Sequence, residues 1–419
     1  MIRLSPKRNL LINLMLSTLV LASCSNSEFK GSSQNATKDP SCKTTPSKCK
    51  DNKNGIIEDE GTNHRDIQKH EAVLAVRDMS CAFCHASVSS NVISDFAVSS
   101  GEDSAEQSFR KILYQVNHAD GPAGQPVISG NFIIPKGETS MIDRTAECVF
   151  SSEMSAASAP RAKHSILDVL NKCVAPAFKW GPGSEKFVTK DEVAINPVSS
   201  IGEIKSIVGG SKLTGSGMAL VGDSKVTGIT GSPQSGFSAA SSISCEGAIV
   251  IDGPVVLKDV VINTEKGCRI YSTASIFVFG NTRVTTNSAN ANLQLMSPLF
   301  VGLDIAARNI EERLNHENTR KLATSRGSGP DVASLISADA SKLQIVTNEY
   351  LGNSNVGYSR IAVSAPVVYS RNTGAFSGSI IAEHFIGKIG ALSFSFDPIF
   401  NAGSVAMFPE INRRLVTSR

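Results

Sequence analysis

Aromatic residues are scarce in this 419-residue chain, with one Trp and five Tyr. A surplus of either charge is missing as well. The 41 basic and 38 acidic residues give a net +3, and Arg3, Lys7 and Arg8 supply three of the basic ones within the first 23 positions. Without those three, 38 basic residues stand against 38 acidic ones. A balanced chain with few stacking rings gives no support to nucleic-acid binding or to an anionic surface as partner. Beyond residue 22 no apolar run is long enough for a transmembrane helix. The G-x-S-x-G, H-E-x-x-H and P-loop patterns are also absent. Asp252, Asp259, Asp304 and Asp397 are scattered, and each suits a turn or cap. Little therefore points to an enzyme.

What is present starts with an export signal. Three basic residues precede the short apolar stretch "LLINLMLSTLVLA", which ends at Leu21-Ala22-Ser23-Cys24. A basic start, a short apolar core and small residues before the cut describe a removable signal rather than a membrane span. The final "LASC" resembles the bacterial lipobox. That resemblance implies cleavage after residue 23, with Cys24 acylated and held in the lipid bilayer. It places the chain in the bacterial cell envelope. Ser25 stands where an Asp would resemble the inner-membrane retention signal, so the outer membrane is expected.

The nine cysteines are Cys24, Cys42, Cys49, Cys81, Cys84, Cys148, Cys173, Cys245 and Cys268. With Cys24 lipidated, the other eight form four neighbouring pairs, which suits an oxidising compartment. Disulfides are expected at Cys148–Cys173 and Cys245–Cys268, and also at Cys42–Cys49. Cys81 and Cys84 are left for each other or for a cofactor.

Composition divides the rest. Residues 24–63 are polar with almost nothing to bury, a flexible tether. Within it "DNKNGIIEDEG" has a faint calcium-loop outline, but Lys50 and Gly61 occupy the positions that need Asp and Glu, so a turn is expected. Residues 64–182 read as a small mixed domain. In it "NHRDIQKHEAVLAV" and "PRAKHSILDVLNKCVAPAFKW" have helical potential, the second through Ile166, Val169, Leu170 and Cys173. The middle, "NHADGPAGQPVISGNFIIPKGE", reads as loop-rich. From residue 188 to 419 the texture is β. The runs "AIVI", "VVL", "VVI", "CRIY" and "SIFVF" are separated by Gly, Asp, Asn and Lys every few residues. Such short strands between frequent turns suit a β-solenoid. Cys245 and Cys268 are 23 residues apart, about one coil, and stacked rungs about 4.8 Å apart are within a disulfide's reach. Leu303, Ala306, Ile310 and Leu314 mark one face of an amphipathic helical insertion over about 303–323. Short strands resume in "RIAVSAPVVYS", "FSGSIIAEHFIGKIG" and "ALSFSFDPIF". Residues 245–400, through "GAIVIDGPVVLKDVVI" and "FSFDPIF", resemble the right-handed β-solenoid domains of bacterial surface and pilus-associated proteins. The fold class expected is mainly β: a right-handed β-solenoid with a helical insertion, preceded by a small α-containing domain.

That small domain holds the chemistry. Cys81-Ala82-Phe83-Cys84-His85 is C-x-x-C-H, which places two thiols to reach the vinyl groups of a haem and an imidazole to ligate its iron. In this it resembles the c-type cytochromes. The resemblance implies covalent haem c on Cys81 and Cys84, with His85 as proximal ligand. The sixth ligand stays open among His118, Met141, Met154 and His164. The flank "ASVSSNVISDFAV" alternates as a strand does, where a small cytochrome has helices. The same three residues could be a Cys81–Cys84 disulfide beside a surface histidine. They could also be part of a zinc site lacking a recognisable fourth ligand, or a dithiol redox pair. Glu383-His384 reads as an outward-facing pair within a strand, and His316 as solvent-facing. Two functions follow. One is a haem-carrying lipoprotein for electron transfer or redox sensing, with a redox partner. The other is a structural or adhesive surface lipoprotein that binds an envelope partner, its cysteines serving as staples.

Overall fold

The computed structural model describes residues 72–80, 87–94, 127–135, 141–145, 161–165, 167, 170–190, 195, 197–207, 213, 215–304, 332–345, 357–370, 375–387 and 393–400. All of them belong to one compact unit, Arg65–Arg419. The strands of its first part are Ala72–Ser80 (β1), Ser87–Val88 (β2), Asn91–Ser94 (β3), Val127–Ile128 (β4), Phe132–Pro135 (β5), Met141–Thr145 (β6), Arg161–Ser165 (β7), Lys179–Trp180 (β8) and Phe187–Lys190 (β9). A short helix, Ile201–Ser206 (α1), follows. Then come Met218–Ser232 (β10), Gly236–Ile251 (β11), Val255–Lys258 (β12), Val261–Asn263 (β13), Cys268–Ser272 (β14), Ile276–Phe279 (β15), Arg283–Val284 (β16), Leu293–Met296 (β17) and Phe300–Leu303 (β18). Helix Val332–Lys342 (α2) precedes Tyr358–Ser370 (β19), Ala375–Gly387 (β20) and Ser393–Phe396 (β21). The chain is mainly β, as its sequence indicates.

Most of these strands stack in parallel ladders. In the first ladder Ile249, Ile270, Leu295, Val363, Ile380, Leu74, Val92, Phe132 and Phe187 pair in succession. Every one is at most 4% exposed. This column of apolar residues, one per rung, runs about 38 Å at the usual strand spacing. Each buried aliphatic side chain contributes about 1.5–3 kcal/mol. A second ladder joins Phe237, Val255, Ile276, Val301, Val368 and Phe385. A third joins Ile243 to Ile262 and Val284 in one part, and Tyr358, Phe376, Phe394, Val88, Ile128 and Trp180 in another. The inward columns of all three meet in one core.

Two outer faces are covered by the chain itself. On the first ladder, Val250, Tyr271, Met296, Ile381, Ile93 and Ile133 point away from the core and pack with Ile195, Val198, Ile204 and Phe400. Helix α1 starts there on a capping box: Ser200 Oγ accepts from Glu203 N–H at 3.2 Å, and the Glu203 carboxylate accepts from Ser200 N–H at 3.4 Å. On the second ladder Phe277, Phe300 and Tyr369 pack under Val332, Ala333, Ile336 and Ala340 of α2.

The stacking order is not the chain order. β1 lies between β20 and β3, with Leu74 opposite Ile380 on one side and Val92 on the other. β21 continues the same rung on the third ladder, between β20 and β2. N-terminal strands thus extend a stack whose other rungs come from the C-terminal part. Residues 72–190 and 218–396 share ladders, and the boundary expected near 182–188 does not separate two sheets. The stack ends on Phe178, Trp180 and Phe187 at one side, with Trp180 and Phe187 ring centroids 5.5 Å apart. At the other, β10 pairs antiparallel with β11.

Several local expectations are corrected. "EAVLAV" lies in strand β1 rather than a helix from residue 72 onward, because Val73, Leu74 and Val76 enter the core while Ala72 and Ala75 face outward. In "PRAKHSILDVLNKCVAPAFKW" residues 161–165 are strand β7, while helical structure follows as expected, with Leu167 α-helical, a π-helical turn at Leu170–Val174 and a 3-10 turn at Ala175–Ala177. The loop-rich middle contains β4 and β5, whose Ile128, Phe132 and Ile133 are buried. The helical insertion lies outside the described residues apart from its first positions, and there Leu303 ends strand β18. Helix α2 was not anticipated.

Candidate functional site

One expected disulfide is in place. Cys245 and Cys268 are bonded with Cα atoms 5.2 Å apart. They lie on adjacent rungs, since β11 pairs β14 with Gly247 opposite Cys268. Both are fully buried. Cys42, Cys49 and Cys148 lie outside the described residues, as does the lipobox cysteine Cys24. Cys173 falls in the π-helical turn.

Cys81, Cys84 and His85 also lie outside the described residues, but the strands that bracket them are described. Ser80 ends β1 and Ser87 begins β2. Asp78, Met79 and Ser80 pair with His384, Phe385 and Ile386 of β20. Ser87 and Val88 pair with Ser393 and Phe394 of β21, and with Val127 and Ile128 of β4. The motif therefore links the second ladder to the third, at the rung where N-terminal and C-terminal strands meet. Within the alternating flank, residues 87–88 and 91–94 are strand as read from the sequence, with Val88, Val92 and Ile93 buried, and the rest of that flank beyond residue 94 lies outside the described residues.

Of the candidate sixth ligands, Met141 opens β6 and His164 lies in β7. These strands pair antiparallel, with Met141 opposite Ser165 and Ile142 opposite His164. Two candidates 23 positions apart in sequence thus come to neighbouring registers of one hairpin. His118 and Met154 lie outside the described residues.

Three of the scattered carboxylates tie one rung to the next, and the fourth closes a local turn. Asp252 accepts from the Thr273 hydroxyl at 2.9 Å, Asp259 from Asn281 N–H at 2.8 Å, and Asp304 from Gly280 N–H at 3.2 Å. Asp397 accepts from Ile399 N–H at 3.1 Å. Glu246 does the same across rungs, taking Glu265 N–H at 2.6 Å and Lys266 N–H at 2.9 Å. Glu383 and His384 sit half-buried in β20. Among the described residues no group of three or more His, Cys, Asp or Glu could hold a metal ion. Among them, too, no helix is long and apolar enough to cross a membrane.

Two polar residues that the sequence did not flag hold the rungs together. Asp339 of α2 is buried and accepts from both the N–H and the hydroxyl of Ser275, at 3.0 and 2.7 Å. Arg360 of β19, with φ of 59°, donates to the carbonyls of Thr286, Ser288 and Ala291 at 3.2, 2.8 and 3.4 Å. No local pattern distinguishes either residue, because each finds its partner more than sixty positions away. No family model, curated protein or solved structure matches the chain.

Proposed function

We propose that this chain is a membrane-anchored, extracytoplasmic lipoprotein whose right-handed β-solenoid carries one covalent haem c, serving electron transfer or redox sensing. What supports this reading is the C-x-x-C-H segment, in a chain whose start reads as an export signal, falling between strands β1 and β2. The three parallel ladders support the solenoid, with successive inward positions 17 to 25 residues apart in the C-terminal part except for the 68-position step from Leu295 to Val363. Cys24 would carry the lipid. Cys81 and Cys84 would form the two thioethers and His85 would ligate the iron, which gives the group one-electron chemistry when bound. Met141 and His164, on paired strands, would be candidates for a further iron ligand, as would His118 and Met154. A redox partner follows from this role.

Haem staining of a denaturing gel tests it, after expression in a host that matures haem c. The intact exported chain should stain; correctly exported protein without covalent haem rules the cytochrome out. Cys24→Ser should move the protein from the membrane to the soluble fraction, and persistent membrane retention counts against the anchor.

A second reading is favoured by the buried Cys245–Cys268 bond, since a chain that already uses one disulfide as a staple can use another. Cys81–Cys84 would then be a disulfide, and the protein a structural or adhesive surface lipoprotein with an envelope partner. Mass spectrometry of the peptide holding residues 81–85 separates the two: haem-adducted in the first case, two hydrogens lighter than the dithiol in the second.

A further inference from the structure

We infer that residues 72–190 fold last, onto a template supplied by residues 218–396. The basis is the composite rung. β1 has β3 on one edge, 18 positions away by the Leu74–Val92 register, but its other edge is β20, where Leu74 faces Ile380. The third-ladder strand of that rung is β21, and its Phe394 ring lies 6.1 Å from Phe376 and 5.7 Å from Phe385 in the core. Until β20 and β21 arrive, β1 has one open edge and its rung lacks an inner side chain. Among the described residues the N-terminal strands supply the first and third ladders but add to the second only Asp78–Ser80 of β1, so alone they leave the core open on that side.

The C-terminal part also leaves an edge open at β20, but it closes rungs of its own. It contains strands of all three ladders, the Cys245–Cys268 bond and the α2 cover on the second ladder. The cover over the first ladder waits too: Ile195, Val198 and Ile204 follow β9 in the chain, yet their cluster includes Val250, Tyr271 and Met296. The usual expectation for a chain made and exported from its N-terminus is N-terminal folding first. Here the topology reverses it. This order holds whatever residues 81–85 carry.

Pulsed hydrogen exchange with a mass-spectrometric readout, during refolding of the full-length, disulfide-intact protein, tests the order. Amides of 249–251, 270–272 and 293–296 should gain protection in an earlier phase than those of 74–76, 92–94 and 132–134. A single common phase, or N-terminal protection first, overturns the inference. At equilibrium, Phe394→Asp should abolish slow exchange over 74–76 and 92–94 and preserve it over 249–251 and 293–296. Equal loss in both regions, or loss in neither, overturns it as well.

Discussion

Arg360 holds three carbonyls of the 286–291 turn with one nitrogen of its guanidinium, and it does so from a left-handed backbone position. Removing a charged donor from half-buried acceptors costs about 1.5–3 kcal/mol. We expect Arg360→Ala to lower the unfolding free energy by that amount, and Arg360→Lys to recover only part, because the lysine nitrogen lies one bond closer to the backbone than the Nη that makes these bonds. Urea titration of the three proteins gives the comparison; a wild-type midpoint for Arg360→Ala would show that these bonds add nothing. Asp339 makes a sharper case. It is 6% exposed and satisfies both the N–H and the hydroxyl of Ser275. Asp339→Ala leaves two buried donors without acceptors, a loss of about 2–4 kcal/mol, and Asp339→Asn should lose less because its carbonyl still accepts. Cys245→Ser with Cys268→Ser opens a link spanning 23 positions. The expected loss is about 3 kcal/mol on the chain-entropy account. Calorimetry of the double variant beside reduced wild type measures it.

At the level of elements, the turns explain why the short strands stay in register. Asp259 adopts φ of 52° and accepts from Asn281, 22 positions on, while Asn263 accepts from Thr285 at the same spacing. A polar side chain at a corner thus bonds to the rung stacked against it, which fixes the repeat length as well as the turn. Glycine enters for a different reason at Gly378, where a Cβ would lie on the carbonyl oxygen of Ile361 in the neighbouring strand. Gly378→Ala should therefore push β19 and β20 apart. We expect faster amide exchange over 361–364 and 378–382, with a loss of about 1–3 kcal/mol typical of overpacking. Unchanged exchange there would mean the backbone relaxes at no cost. Much at this scale was legible. "AIVI", "VVL", "VVI", "CRIY" and "SIFVF" all fall in strands β11 to β15, since β-branched residues between turn formers leave few alternatives. "EAVLAV" misled because its apolar spacing suits a helix face, and only strands offered on both sides decide for β1.

For the whole molecule, the stack gains its length by joining distant parts of one chain. Among the described residues nine strands form the first ladder, five from residues 236–387 and four from residues 72–190. The connector with α1 lies on the outer face over both groups. Ser200→Ala removes the N-cap of α1 and should cost about 1 kcal/mol. Because that helix helps cover residues of both groups, the loss should show as faster exchange over 250 and 271 together with 93 and 133. Effects confined to the helix would show that the cover adds little. The candidate site was legible as a motif, and its flank was legible as strand. Its setting was not, because nothing near residue 81 announces that residues 384–386 and 393–394 will bracket it.

The sequence by itself determined that the chain is mainly β, where the short strands β11 to β15 lie, and that Cys245 and Cys268 were candidates for one disulfide. Those properties rest on residues close together in the chain: apolar alternation, turn formers and spacing. Only the tertiary structure decided the stacking order, the joining of β1 to β20, and the anchoring of Asp339 and Arg360. These depend on which strand edge remains open for pairing when the core closes. A parallel ladder accepts any strand with matching apolar positions, however far away in the chain it originates.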